Sequence, residues 1–375
     1  MAPGPTITAS NMSAATKTQY GQLRWTETLG MLAKLSRLPA AVLWNVITTA
    51  YAPFNEDRSL RRIILDSTFR YASAHLSIRQ MQRLLGTTLG RYKAWTKKAK
   101  LPAIIDELGE DARLLWIGPK RLERVVFWSH GGGFLFSPSG YSMSFWRHVQ
   151  LELEKRGIEI GIALLSYSLL PAAGFPTPLK QAQLGLNFLL NAGVKPQNLQ
   201  LAGDSAGGNL VLQVLSHMLH PYNDVPEIRL DAPLPGALLI SPWTNLSGDS
   251  ESHTENNGRD YISKDPFTLW GAQILADVPE ACIAYVEAVR APEGWFQGVD
   301  ALVERVLVTA GGAELLRDDV VVVGEALKKH HPKTELVVQK NGLHEDLYLD
   351  FAAGEKKLGN LTPLTVEWLA AGFSS

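Results

Sequence analysis

The stretch Leu199-Gln200-Leu201-Ala202-Gly203-Asp204-Ser205-Ala206-Gly207-Gly208-Asn209-Leu210 limits the fold more than any other part of the chain. An apolar run ends at Gly203, and a helix-compatible run from Asn209 to Leu219 begins soon after Ser205. Glycines two before and two after the serine let a strand and a helix close around a strained turn, so that Oγ projects into the open. The following helix aims free N–H groups and its positive end at the same spot, which suits a developing oxyanion. Gly-x-Ser-x-Gly alone also occurs in ordinary turns. The rest of the chain has to decide between the two.

Upstream lies Ser129-His130-Gly131-Gly132-Gly133-Phe134, directly after an apolar run ending at Trp128. Three successive glycines bring bare backbone N–H groups close to a substrate oxygen, as in the oxyanion loops of lipases and esterases. No Gly-Lys-Ser/Thr follows, so a phosphate-binding P-loop is excluded. In this order the two glycine motifs are far more specific together than either is alone.

A nucleophilic serine needs a histidine that reaches it from a loop. His220 ends the helix that Ser205 begins, roughly 22 Å away at about 1.5 Å per residue, and His217 is nearly as far. His330 and His331 fall at a helix end before Pro332, on the entry side of the next strand. His130 belongs to the glycine loop, where a structural imidazole fits better. His75, His148 and His253 fit no expected position. His344 follows an expected strand, Glu335 to Val338, through Asn341-Gly342, at the edge where open α/β sheets gather their sites. It is the expected base. The acid that orients it should follow the strand Val306 to Thr309, and there Glu314, Asp318 and Asp319 all compete. Acids at a helix N-terminus are favoured by the dipole whatever the function.

From Arg113 onward strands alternate with helices: Leu114–Ile117, Val125–Trp128, Ile158–Leu165, Leu199–Ala202, Ala237–Ile240, Val306–Thr309 and Glu335–Val338 read as strands. Helices are expected over Phe145–Lys155, Leu179–Leu190, Asn209–Leu219, Val320–Lys329 and Leu364–Ala370. This predicts an α/β fold with a mostly parallel sheet covered on both faces. Residues 1–20 read as a flexible leader, 21–105 as an N-terminal helical cap segment, and 106–375 as the core. A cap insertion is expected at about 245–302, where the alternation lapses into aromatic-bearing sequence.

Hydrophobic residues make up 46% of the 375 positions and charged residues 19%, enough apolar material for a large core. The net charge of -1 gives no general pull toward nucleic acid. One cysteine, Cys282, excludes an internal disulfide and a cysteine-based zinc site, and favours a reducing, cytoplasmic compartment. Leu38 to Asn55 carries no charge but is interrupted by polar residues and prolines, so it reads as a buried lid helix before a membrane span. Arg58 to Lys100 holds eleven basic residues against one acid, Asp66, and reads mainly as solvated helix faces. The two runs together are also compatible with weak contact at an intracellular membrane, and the sequence is compatible with a homodimer.

His130-Gly131-Gly132-Gly133-Phe134 and Gly203-Asp204-Ser205-Ala206-Gly207-Gly208-Asn209 resemble the two signatures of the hormone-sensitive-lipase-like branch of the α/β-hydrolase fold. Ser241-Pro242-Trp243-Thr244 and Asp260-Tyr261-Ile262-Ser263 are similar to its later blocks. The chain further resembles fungal members, including steryl-acetyl hydrolases and esterases of secondary-metabolite clusters. The resemblance implies Ser205 as nucleophile, His344 as base, and the N–H groups of Gly132, Gly133 and Ala206 as oxyanion donors, with His130, Gly131 and Asp204 in support. The acid maps to Glu314, where the family usually has aspartate, with Asp318 supporting or replacing it. Two other positions depart from the family: Ser166 to Pro171 lacks the usual arginine and glutamate, and Glu345 stands where a glycine is typical.

The expected activity is hydrolysis of a small to medium apolar ester through an acyl-enzyme, without metal or cofactor. An acyltransferase or a biosynthetic hydrolase for one natural-product intermediate would use the same site. A non-catalytic small-molecule binding protein would be free to lose His344. Trp25, Leu29, Leu32, Trp44, Phe136, Trp295 and Phe296 are expected around an apolar substrate.

Overall fold

The computed structural model describes residues 20–56 and 58–374; the expected leader therefore lies almost wholly outside the described residues. Five helices come first: α1 (Trp25–Leu35), α2 (Leu38–Thr49), α3 (Leu60–His75), α4 (Ile78–Leu85) and α5 (Thr88–Ala99). Their starts are written in the sequence. Ser59, Ser77 and Thr87 each accept a hydrogen bond from the backbone N–H three residues on, and Ser77 and Gln80 form a reciprocal capping box.

The core then runs β1 (Ile105–Gly109), β2 (Ala112–Trp116), β3 (Val125–Ser129), α6 (Gly140–Glu154), β4 (Gly161–Ser166), α7 (Thr177–Asn191), β5 (Leu199–Asp204), α8 (Ala206–Leu219) and β6 (Ala237–Ile240). After β6 come short helices α9 (Glu251–Glu255), α10 (Lys264–Leu275) and α11 (Ile283–Val286). The chain closes with β7 (Val306–Gly311), α12 (Arg317–His330), β8 (Thr334–Gln339), α13 (Asp346–Ala353) and α14 (Leu361–Gly372). One eight-stranded sheet has the order β1-β2-β4-β3-β5-β6-β7-β8; the β1–β2 and β2–β4 pairs are antiparallel and the other five are parallel. The central strands β3 to β7 are buried along their whole length, as strands covered on both faces must be. Side chains alternate between two cores. Val125 and Phe127 join Leu201 and Leu239 on one face, while Val126 and Trp128 join Ala202 and Leu238 on the other.

The α/β-hydrolase fold expected from the sequence is the one observed. Three details differ. Strand β1 has no sequence signature because it is a half-exposed edge of mixed polarity, Ile-Asp-Glu-Leu-Gly. Helix α13, directly after His344, was not expected. The uncharged run at Leu38 folds as a helix, but none of the α2 residues is buried, so it is not the buried lid helix that the sequence suggested.

The basic run is not all solvated surface either. Arg62 on α3 is buried, and its guanidinium meets Asp66 at 3.1 Å, Asp346 at 2.5 Å and Asp350 at 3.0 Å. Burial pushes up the carboxyls of Asp66 and Asp350, the latter to about 6, against the pull of Arg62. Such a cluster adds little net stability when intact but is costly to break. Replacing Arg62 with Met is therefore expected to destabilise the chain by about 3–5 kcal/mol in urea unfolding. A loss below about 1 kcal/mol, the range of a surface pair, would contradict this.

Candidate active site

The C-terminal ends of five neighbouring parallel strands deliver the chemistry. His130 follows β3, Ser205 follows β5, Ser241 follows β6, Glu314 lies beyond β7, and His344 lies beyond β8. Ser205 sits at φ 49°, ψ -117°, between Asp204 at the end of β5 and Ala206 at the start of α8. Its N–H donates to Ile240 O at 2.9 Å, and its carbonyl accepts from Trp243 N at 2.9 Å, so two bonds to the β6 end hold the strained turn. The flanking glycines are steric necessities. A Cβ on Gly203 would collide with the Gly207 carbonyl, and one on Gly207 with the carbonyl of Ser129.

Ser205 and His344 line one cavity of about 80 Å³ together with Gly132, Gly133, Asp204 and Glu345. Its apolar walls come from Phe69 and Leu85 of the N-terminal helices, from Phe136, and from Trp243, Tyr261, Phe267 and Trp270. A larger hollow of about 730 Å³ lies between α3, β8 and the loop before α14. Neither Ser205 nor His344 lines it, so volume is a poor guide to the site. Gly132 and Gly133 have φ of 105° and 62°, backbone that only glycine adopts freely. Their N–H groups and that of Ala206 donate no hydrogen bond within the protein among the described residues.

His344 is buried, with Nδ1 3.5 Å from Oε2 of Glu314. The contact is an ion pair when the imidazole is protonated, and Nδ1 lies just outside hydrogen-bond geometry. The same Oε2 accepts from Ser241 Oγ at 2.6 Å. Burial alone would lower the His344 pKa, but Glu314 foremost, then Glu345 when ionised, and Asp260 raise it above its ordinary value. Asp318 is elsewhere: it accepts from Ser252 N at 2.8 Å and pairs with Arg317 at 2.8 Å. Asp319 binds Asn245 and Ser250. Of the three competing acids, only Glu314 is placed beside the imidazole.

His130 is fully buried and stacks on Tyr167 at 4.5 Å; its Nδ1 lies 2.6 Å from Gly131 O, and burial lowers its pKa to about 4. It is a neutral, structural imidazole. Two residues without an expected role hold the histidine loop. Asp260 accepts from His344 N at 3.2 Å and from Leu315 N at 2.9 Å, and burial raises its pKa to about 6. Ser241, at φ 44°, links Glu314 to the N–H of Glu345. The Asp-Tyr-Ile-Ser and Ser-Pro-Trp-Thr blocks were the available signals, although neither names its role. Among the seven apolar residues expected around the substrate, only Phe136 lines the cavity. Trp295 stacks on His220 at 4.0 Å, and Trp25, Leu29, Leu32 and Trp44 face solvent.

Glu345 sits at φ 50° and places its carboxyl beside that of Asp204, over Gly131; a Cβ on Gly131 would lie 2.6 Å from an oxygen of each. Asp204 accepts from Trp128 Nε1 at 2.5 Å, Gly131 N at 2.6 Å and Tyr348 OH at 3.0 Å. Two adjoining buried carboxyls cannot both ionise, and three donors favour the charge on Asp204. Burial and the Asp204 charge push the Glu345 carboxyl well up, so it carries the proton. The native state then binds a proton that the unfolded chain releases above about pH 4.3, the ordinary glutamate value. Stability should fall as pH rises from there toward the raised native pKa. Glu345→Gln keeps a donor toward Asp204 and removes the titration. Urea midpoints at about pH 5.5 and about pH 8 should differ less in this variant than in the wild type. Equal slopes would refute the shared proton.

Among the described residues, no group of three or more His, Cys, Asp or Glu side chains is placed to hold a metal ion. The serine elbow at the C-terminal edge of a mostly parallel sheet defines an α/β hydrolase. A family model described as the alpha/beta hydrolase fold matches residues 126–347, and the chain belongs to that family. An acetyl-hydrolase of Streptomyces hygroscopicus is 28% identical over 57% of this chain and 65% of its own length. An arylacetamide deacetylase of Bos taurus is 27% identical over 42% of this chain and 39% of its own. The chain thus spans less than two thirds of either relative. An esterase of the bacterial hormone-sensitive lipase family superposes with a TM-score of 0.62 at 24% identity, covering 84% of this chain and 99% of that one. An esterase/lipase from an uncultured bacterium superposes equally well, at 0.62 and 20% identity, covering 84% of this chain and 100% of that one.

Proposed function

We propose that the protein is a serine carboxylic-ester hydrolase acting on short-chain acyl esters with an apolar alcohol. The observation that carries this is the shared cavity, in which strained Ser205 and His344, backed by Glu314, face the free amides of the triple-glycine loop. His344 Nδ1 faces Glu314, which leaves Nε2 to take the Ser205 proton as Oγ attacks the ester carbonyl. The oxyanion forms against the N–H groups of Gly132, Gly133 and Ala206. His344 returns the proton to the departing alcohol, and a water activated by the same imidazole releases the acyl group. Asp204 acts indirectly, by fixing Gly131 and hence the loop.

A hollow of about 80 Å³ supports an acetyl-sized group, and the acetyl-hydrolase among the relatives agrees with that. In this reading residues 21–105 and about 245–302 together form the cap, since Phe69 and Leu85 from the first and Tyr261, Phe267 and Trp270 from the second enclose the cavity. The lone, buried Cys282 suits a reducing, cytoplasmic compartment. A fluorophosphonate should add covalently to Ser205, located by mass spectrometry, and p-nitrophenyl acetate should be cleaved faster than its long-chain homologues. A chain with an unlabelled Ser205 would be a binding protein on this scaffold. Labelling without cleavage of any aryl ester would point to a dedicated acceptor or substrate.

A further inference from the structure

Helix α2, Leu-Pro-Ala-Ala-Val-Leu-Trp-Asn-Val-Ile-Thr-Thr, is uncharged, and not one of its twelve residues is buried. Leu43, Trp44 and Ile47 project into solvent, Trp44 by 69%, and Tyr51 just beyond the helix is 99% exposed. Helix α1 adds Trp25, 74% exposed, and Leu29 one turn on. An apolar surface this large on a chain that buries its other aromatics so well marks a docking site.

Charge selects the occupant. Among the described residues of this segment, Glu27 pairs with Arg79 at 3.0 Å and Glu56 lies 4.0 Å from Lys340. Lys34, Arg37 and Arg61 have no carboxylate within 4.0 Å among the described residues. Among the described residues the face is therefore aliphatic and aromatic, with cations beside it that no described carboxylate meets. A second copy packed on this face would double these cations in one interface and bring no described acid to meet them. An anionic lipid surface meets all three properties: tryptophan and tyrosine sit at headgroup depth, leucine and isoleucine dip below it, and the cations meet lipid charge. No helix among the described residues is long and apolar enough to cross a membrane, so α2 would lie in the interface plane.

We infer that α1 and α2 form an interfacial docking face for anionic membranes. The consequence reaches the site, because α3, on which α2 packs, turns Phe69 toward the cavity and Arg62 toward the segment after His344. Docking would bring the cap against the surface where apolar esters dissolve; this last step rests on the function proposed above, whereas the docking itself does not.

The test uses the full chain with phosphatidylcholine vesicles, with and without phosphatidylserine. Wild type should co-sediment with the anionic vesicles, less so at high salt, with a blue shift of tryptophan emission. The triple variant Leu43→Ser, Trp44→Ser, Ile47→Ser should bind at least about tenfold more weakly, since only exposed apolar contacts are removed. Cleavage of a water-soluble acetate ester should be unchanged in that variant, which separates failure of docking from failure of the ester-hydrolase reading. Four results would overturn the inference: wild type remaining in the supernatant, equal binding by the variant, a dimer that the three substitutions dissociate, or vesicle binding that appears only after residues 1–19 are removed.

Discussion

Ser205→Ala is expected to lower kcat/KM for p-nitrophenyl acetate by about five to six orders of magnitude, the loss seen when a triad that works as a unit loses its nucleophile. The fold should not notice. The turn at φ 49° is held by backbone bonds to Ile240 and Trp243, and by the steric fit of Gly203 and Gly207, none of which involves Oγ. Alanine retains the Cβ already accommodated there, so the urea midpoint should stay within the range of a neutral substitution. Residual hydrolysis above the rate in water would come from the amides of Gly132, Gly133 and Ala206 acting on bound ester. An alanine variant that keeps the wild-type rate, or that still takes up fluorophosphonate at the same site, would remove the mechanism.

The elements most legible in the sequence were those whose function forces their backbone. Gly203, Gly207 and the triple glycine are needed because neighbouring carbonyls leave no room for a Cβ or because φ is positive, and that need shows as a pattern in one dimension. The parallel strands were legible because burial on both faces requires unbroken apolar runs, whereas edge strand β1 has no such requirement. What the sequence left open was anything decided by distance across the fold. Asp260 and His344 are 84 positions apart and meet through a single N–H, and no local pattern announces that bond. Likewise, seven apolar residues looked equally suited to a substrate wall, and only folding separates Phe136 in the cavity from Trp44 in solvent. Glu345 stood out as a departure from its family, but its meaning depends on Asp204, which comes from a different strand.

The acid is where sequence and structure part most usefully, and the second large effect is expected there. Glu314→Gln should reduce kcat by about three to four orders of magnitude with little change in KM, as when an orienting carboxylate is made neutral. Asp318→Asn should stay within a few-fold of wild type, because its carboxyl serves Ser252 and Arg317 at the head of α12 and does not reach the imidazole. The pH profile carries an independent signature. Rate requires neutral His344, so kcat/KM rises with pH as the imidazolium loses its proton. Glu314 is the largest influence holding that proton against the opposing effect of burial, which keeps the loss above the ordinary histidine value. Without the Glu314 charge, burial gains ground and the proton leaves more easily, so the rising limb in Glu314→Gln should move to lower pH even as its plateau drops. A purely structural glutamate would lower the plateau and leave the limb in place. If Asp318→Asn, and not Glu314→Gln, moves the limb, the acid has been assigned to the wrong end of the loop.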